Sequence, residues 1–231
     1  MRCGVSFLFT LIKAGEEMSD IRKLYQTMVA HCGEQNWPVE SKPEIVLGAI
    51  LVQNTSWESA QKSLDQLKKA TAFDPQRILH LDDQALQTLI RPSGFYRNKS
   101  KAIRAVFAWL DDFNFDYAAI RQHFGENLRR ELLKLRGVGN ETADVLLIYV
   151  FDVPAFVADN YAQKLFAHLG IPSKNYQDLA RQITLPADFT FHEAQVFHGL
   201  IDEFGKKYFR GQDTFDESFL QLRNLMISVL E

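Results

Sequence analysis

With 231 residues, 46% hydrophobic and 24% charged, the chain reads as globular, with length enough for one large domain or two small ones around a sizeable core. A formal net charge of -3 gives no global sign of nucleic-acid binding, so any such contact must come from a local basic face or from backbone amides. Two cysteines, Cys3 and Cys32, exclude a disulfide framework, a four-cysteine zinc site and an iron–sulfur cluster held by four thiolates, and they suit a reducing cytoplasm.

In chain order, "VSFLFTLI" after Arg2 has the flavour of a signal-peptide core. It is short, carries one preceding charge and has no small-x-small cleavage site. It is either an ordinary apolar segment or the product of a start placed too early, with Met18 as the native beginning. No later stretch is long and apolar enough to span a membrane. Helical periodicity then dominates. "IRKLYQTMVAHC" puts Ile21, Leu24, Met28 and Cys32 on one side. "PEIVLGAILVQ" is nearly all apolar and predicts a buried helix. "SWESAQKSLDQLKKA" has Ser56 as N-cap and turns Ala60, Leu64 and Leu67 inward. "DDQALQTLI", "NKSKAIRAVFAWLDDF", "ENLRRELLKL", "ADVLLIYVF", "AQKLFAHLG", "FHEAQVFHGLIDEFGKKYF" and "DESFLQLRNLMISVL" keep the same period. Prolines and glycines punctuate them, alternating strands are missing, and no repeat or low-complexity linker occurs. The expected fold is all-α, with roughly a dozen helices.

In "LRGVGNETA" two glycines, Gly137 and Gly139, surround one valine between two helical patterns. Glycine permits backbone angles that a Cβ penalises, so the turn can be very tight. The amides at the start of the next helix then point outward, and with the helix dipole they suit a phosphate. A plain connection between packed helices would look the same. Some twenty residues on, an apolar run ends at Asp159, at the head of another helix. Aspartate there is a favoured N-cap. It is also an ionised carboxylate, shielded by Phe156 and Val157, able to activate a water or to stabilise positive charge on a sugar whose base departs. Both roles are compatible. His192 and His198 read as surface or satisfied core residues, because no ligand-spaced acid or cysteine accompanies them.

Taken together, "LRGVGNETADVLLIYVFDVPAFVADNYAQKLF" resembles the helix–hairpin–helix and catalytic aspartate of the endonuclease III superfamily of DNA glycosylases, the HhH-GPD type. "LGAILVQNTSWESA" is similar to the segment in which a glutamine enters DNA. "IRPSGFYRNKSKAI" resembles the turn and helix that precede the hairpin, and "NWPVESKPEIVLGAILVQNTSW" looks most like the 3-methyladenine DNA glycosylase III branch. The resemblance covers roughly residues 20 to 210. It implies two helical lobes with a cleft between them: a central lobe over 36–150, and a second built from 18–35 and 151–231. It implies that Asp159 is the catalytic carboxylate. Gly137, Val138, Gly139 and Glu141 then lie at the DNA phosphate, Gln53 fills the gap left by the extruded base, and Trp37 lines the base pocket. Carbonyls of Leu133, Leu135 and Val138 would hold a sodium or potassium ion. Lys99, Lys101 and Arg104 are further candidates for phosphate contacts, and Tyr161 either packs or touches substrate.

Two departures refine this expectation. Members with lyase activity carry, inside the hairpin, a lysine that forms a Schiff base with the sugar. Glu141 stands there, so the resemblance implies a monofunctional enzyme that leaves an abasic site. The iron–sulfur loop of many relatives is also missing, so the tail should pack by apolar contacts such as Phe215, Phe219, Leu222 and Leu225. The expected partner is double-stranded DNA with a damaged base, most readily an alkylated purine, bound by a cytoplasmic monomer with no other cofactor and no membrane. Two alternatives remain: a glycosylase of the same fold for oxidised or mismatched bases, and a non-enzymatic helix–hairpin–helix DNA-binding module.

Overall fold

The computed structural model describes residues 17–34 and 41–221, with side chains from Ile21 onward. Trp37, Leu222 and Leu225 lie outside them. The described residues contain twelve α-helices, three short 3-10 helices and no strand. None of these helices is long and apolar enough to cross a membrane. The chain divides into two compact units, one of residues 38–153 and one of residues 1–37 with 154–231.

The 38–153 unit runs α2 (Lys42–Leu51), α3 (Trp57–Thr71), α4 (Pro75–His80), α5 (Asp83–Leu89), α6 (Tyr96–Asp111), α7 (Tyr117–Phe124), α8 (Leu128–Leu132) and α9 (Asn140–Tyr149). Most starts carry a side-chain cap: Ser41, Ser56, Asp74, Asp82 and Asp116 each accept a hydrogen bond from a backbone amide three residues on. The nearly all-apolar α2 is indeed central, with Val46, Leu47, Ile50 and Leu51 buried against α3, α6 and α9. Each such fully buried side chain contributes roughly 1.5–3 kcal/mol. Ala60, Leu64 and Leu67 of α3 face the same core.

The other unit contains α1 (Glu17–Cys32), α10 (Asn160–His168), α11 (Tyr176–Gln182) and α12 (Phe191–Tyr208). Here α12 is the spine, packed on α10 and α1. Its start has a capping box, Thr190 with Glu193, and Glu193 also pairs with Arg22 of α1. Tyr25 of α1 meets Phe189 and Phe197 edge-on, at 5.2 and 6.1 Å between ring centres. Ile21 and Met28 are buried as the periodicity predicts, whereas Cys32 is exposed at the helix end.

Three helices, α4, α7 and α11, do not emerge from apolar periodicity. They are six, eight and seven residues long. Their capping residues Asp74, Asp116 and Asn175 are the available signal. The spacing in "DESFLQLRNLMISVL" predicts a helix. Its described part forms only the 3-10 turn Phe215–Glu217 and then leaves helical geometry, with extended angles at Ser218. Local bonds compete here: the Asp213 carboxylate accepts from the Phe215 amide and from His168 Nε2, and the Thr214 amide donates to the Tyr208 carbonyl. The apolar packing does occur at two of the four expected residues. Phe215 stacks on His168 at 4.4 Å, and Phe219 stacks on His31 at 4.3 Å.

A half-buried ion pair joins the helices on either side of the glycine turn. Arg129 of α8 makes a two-pronged contact with Asp144 of α9, Nε to Oδ1 at 2.7 Å and Nη2 to Oδ2 at 2.9 Å, and Nη2 also donates to the Asn140 side-chain oxygen. The Asp144 side chain is only 5% exposed. Arg129→Ala removes both prongs from a largely buried carboxylate, so a loss of about 1–3 kcal/mol is expected in denaturant unfolding. A double variant in which Asp144 is also replaced by an apolar residue should recover much of it.

Candidate functional site

Between α8 and α9 the chain turns through 133–139. Gly137 has φ +79°, in the left-handed region, and a Cβ built there would lie 2.4 Å from the Ala102 Cβ of α6. The turn is therefore tight in two senses, backbone angle and approach to a neighbouring helix, and glycine alone satisfies both. Gly139 is different and corrects the sequence expectation. It has φ -91° and ψ -178°, ordinary extended backbone, and a Cβ there would meet nothing within 4 Å. Among the described residues nothing demands glycine at 139, and none of them fills the space above it. Gly139 is also the N-cap of α9 and gives no side-chain hydrogen bond, where most other helix starts carry a serine, threonine, aspartate or asparagine. Val138 is buried, and its amide donates to the Leu135 carbonyl at 3.1 Å. Leu133 and Leu135 are half-buried, and Glu141 is exposed in the first turn of α9.

Gln53 lies in the turn that follows α2, and its side-chain amide reaches this hairpin. Nε2 donates to the Gly137 carbonyl at 3.0 Å and to Thr142 Oγ1 at 2.9 Å. Residues 84 apart in sequence thus share one face, as the resemblance implies for the glutamine and the hairpin.

A second tie brings in the segment "IRPSGFYR". Lys99 of α6 is 4% exposed, and its Nζ donates to the Leu51 carbonyl at 2.8 Å and to the Ser93 carbonyl at 2.7 Å. It joins the end of α2, just before Gln53, to the turn just before Phe95. Burial pushes its pKa down from 10.5 to about 8. Lys99 is therefore an internal clasp rather than a phosphate contact. Arg104 is engaged too, with Asp83 and the Leu81 carbonyl, while Lys101 is exposed. Phe95, at the head of α6, is 65% exposed, with φ +46°. A bulky residue held in the left-handed region with its ring in solvent is uncommon. The sequence signal for it is a large apolar residue directly after a proline–serine–glycine break.

In the other unit, Asp159 caps α10. Its Oδ1 accepts from the Ala162 amide at 2.7 Å. Its Oδ2 lies 3.6 Å from Nε2 of His198 on α12, and both side chains are largely buried, 15% and 11% exposed. The cap and a second carboxylate oxygen turned to another partner thus coexist in one group. His198 has no motif to mark it in the sequence; its only signal is its position on the helix that faces α10. His192 is exposed. Phe156 packs edge-on against Phe166 at 5.4 Å, and Val157 is buried. Tyr161 packs against α12: a Cβ at Gly205 would lie 2.1 Å from its ring. Among the described residues no group of three His, Cys, Asp or Glu side chains is placed to hold a metal ion.

Two helices, closed by a left-handed glycine and clasped by an arginine–aspartate pair, make a helix–hairpin–helix, a unit that several folds use to meet nucleic acid. The chain belongs to the HhH-GPD superfamily of base excision DNA repair proteins, whose family model matches residues 47–187. A protein of Methanocaldococcus jannaschii described as a candidate DNA repair glycosylase is 38% identical over 197 residues, 82% of this chain and 89% of that one. The endonuclease III of Sulfolobus acidocaldarius is 27% identical over 165 residues, 70% of this chain and 71% of that one. Among solved structures, the 3-methyladenine DNA glycosylase of H. pylori bound to 1,N6-ethenoadenine superposes with a TM-score of 0.66 at 27% identity, covering 83% of this chain and 98% of that one. An endonuclease III–DNA complex, 21% identical, shares the fold with a TM-score of 0.68 over 93% and 99% of the two chains.

The two glycines should separate under substitution. Gly137→Ala should destabilise the protein by roughly 2 kcal/mol or more, from the left-handed angle and the contact with Ala102. Gly139→Ala should leave the unfolding midpoint unchanged. For Lys99, the folded state releases its proton before the unfolded chain does, so between about pH 8 and the ordinary lysine value of 10.5 the unfolded chain binds more protons. Stability should rise with pH over that window in the wild type relative to Lys99→Met, measured by denaturant midpoints.

Proposed function

We propose that this protein is a monofunctional DNA N-glycosylase that releases a damaged base, an alkylated purine, from duplex DNA. The observation that carries the reading is Asp159: a largely buried carboxylate held by one oxygen in a helix cap, with the other oxygen turned to His198, in a chain of a base excision repair family. The likeness to the H. pylori 3-methyladenine glycosylase supports the alkylated substrate.

The chemistry follows from these groups. The amides at the head of α9, with no side-chain cap and open space above Gly139, receive a backbone phosphate. Gly137, Val138, Gly139 and Glu141 line that contact. The carbonyls of Leu133, Leu135 and Val138 are neutral oxygen donors, a set that would hold a monovalent cation, which would supply positive charge to the phosphate contact. The target nucleotide leaves the stack. Gln53, already fixed to the hairpin face, fills the vacated space, and the exposed Phe95 ring enters the duplex beside it. Trp37 stacks on the flipped base; if the base is alkylated and cationic, the stack gains a cation–π contribution.

As the C1′–N bond breaks, its electron pair leaves with the base and positive charge develops on the sugar. Asp159 stabilises that charge and takes a proton from the water that attacks C1′. A cationic purine departs neutral and needs no acid. Glu141 offers no amine at the hairpin position where a Schiff base would form, so the product is an intact abasic strand. With Cys3 and Cys32 as its only thiols, this sequence supplies too few ligands for a four-thiolate iron–sulfur cluster.

Asp159→Asn keeps an oxygen for the Ala162 amide and removes the charge. Folding and duplex binding should persist, while base release from methylated duplex DNA should fall on the order of a hundredfold or more. Borohydride should trap no covalent adduct with either protein. Full release by the asparagine variant would reduce Asp159 to a helix cap and remove its catalytic role; no release by the wild type from any methylated duplex would remove the enzyme reading.

A further inference from the structure

Two arginines and a tyrosine cluster beside Phe95. The guanidinium carbons of Arg91 and Arg97 lie 5.6 and 5.9 Å from the centre of the same Tyr96 ring. Both arginines are exposed. Among the described residues neither is in an ion pair, whereas Arg22, Arg104 and Arg129 each face a carboxylate. A guanidinium stacked on a ring is oriented by its face and keeps its N–H edges available, the arrangement that suits two-pronged binding of a phosphate. Two unneutralised forks on one ring, in a chain of net charge -3, are arranged for an anion supplied from outside.

Their position says which anion. Tyr96 and Arg97 open α6, and Arg91 begins the turn that leads to Phe95. Farther along α6, Lys99 clasps the Gln53 turn and Ala102 receives Gly137 of the hairpin. The arginine pair therefore shares one packed unit with the hairpin and borders the exposed ring. We infer that Arg91 and Arg97 bind DNA backbone phosphates flanking the step at which Phe95 enters the stack, with Tyr96 holding both guanidiniums in place. The inference rests on the DNA-binding reading above.

The test is the salt dependence of affinity for a duplex carrying a tetrahydrofuran abasic analogue, which requires no knowledge of the lesion. The slope of log K against log salt should shrink by about 0.9 for each phosphate that is no longer neutralised, hence by roughly 1.8 in the R91Q/R97Q double variant. Because both side chains are exposed, its thermal unfolding should match the wild type. Tyr96→Leu leaves net charge unchanged and should still shrink the slope, since it removes the ring that orders both forks. A folded double variant with the wild-type slope would overturn the phosphate clamp and leave the DNA reading standing. A wild-type protein with no salt-dependent affinity for the duplex would overturn both.

Discussion

The approach of the hairpin to α6 is possible only because Gly137 has no side chain. A single added carbon would sit 2.4 Å from the Ala102 Cβ, and the backbone angle at 137 is one that other residues adopt at a cost. From that contact the rest of the surface follows. The Gly137 carbonyl is presented to Gln53, Gln53 also reaches Thr142, and the end of α2 is clasped by Lys99 to the turn before Phe95. Three stretches far apart in sequence, 51–53, 93–102 and 137–142, are fixed relative to one another by one missing Cβ and a handful of hydrogen bonds. Buried polar ties of this kind specify geometry well because each is costly to leave unmade.

The absence of a basic excess is informative beside that geometry. Many of the cations in this protein are engaged internally: Lys99 on carbonyls, Arg129 on Asp144, Arg22 on Asp188 and Glu193, Lys42 on Asp152. Phosphate recognition proposed for such a chain leans on backbone amides and on a small number of arginines kept clear of acids. Global charge is then a poor guide to partner, and the pairing state of each cation is a better one.

The fold is legible in the sequence where apolar periodicity runs long. The buried α2, the inward face of α3, and the α12 spine follow directly from residues spaced three and four apart. The short helices α4, α7 and α11 are not; α5 and α8, equally short, are, because the apolar patterns of "DDQALQTLI" and "ENLRRELLKL" run past their ends. The described start of the segment after Asp213 departs from its apolar spacing, because turn-forming bonds at Asp213 and Thr214 take its first residues. At the candidate site, the hairpin and the cap role of Asp159 are readable from residue types. The sequence does not show which of two similar glycines carries the strain, that Lys99 points inward, or that His198 faces Asp159. Each of these depends on a contact between residues from different helices, and a one-dimensional pattern does not contain it.

The double use of Asp159 has an evolutionary corollary. One carboxylate oxygen secures the first turn of α10 while the other is turned toward His198. Selection on the fold alone sees the capping oxygen, which asparagine or serine supplies nearly as well. Drift at this position can thus silence the proposed chemistry without any penalty in folding, expression or abundance. Lineages that cease to need the reaction would keep an intact hairpin protein that still covers DNA, and such a remnant could compete with active enzymes for the same lesions. In this architecture, loss of catalysis would leave its mark in one residue.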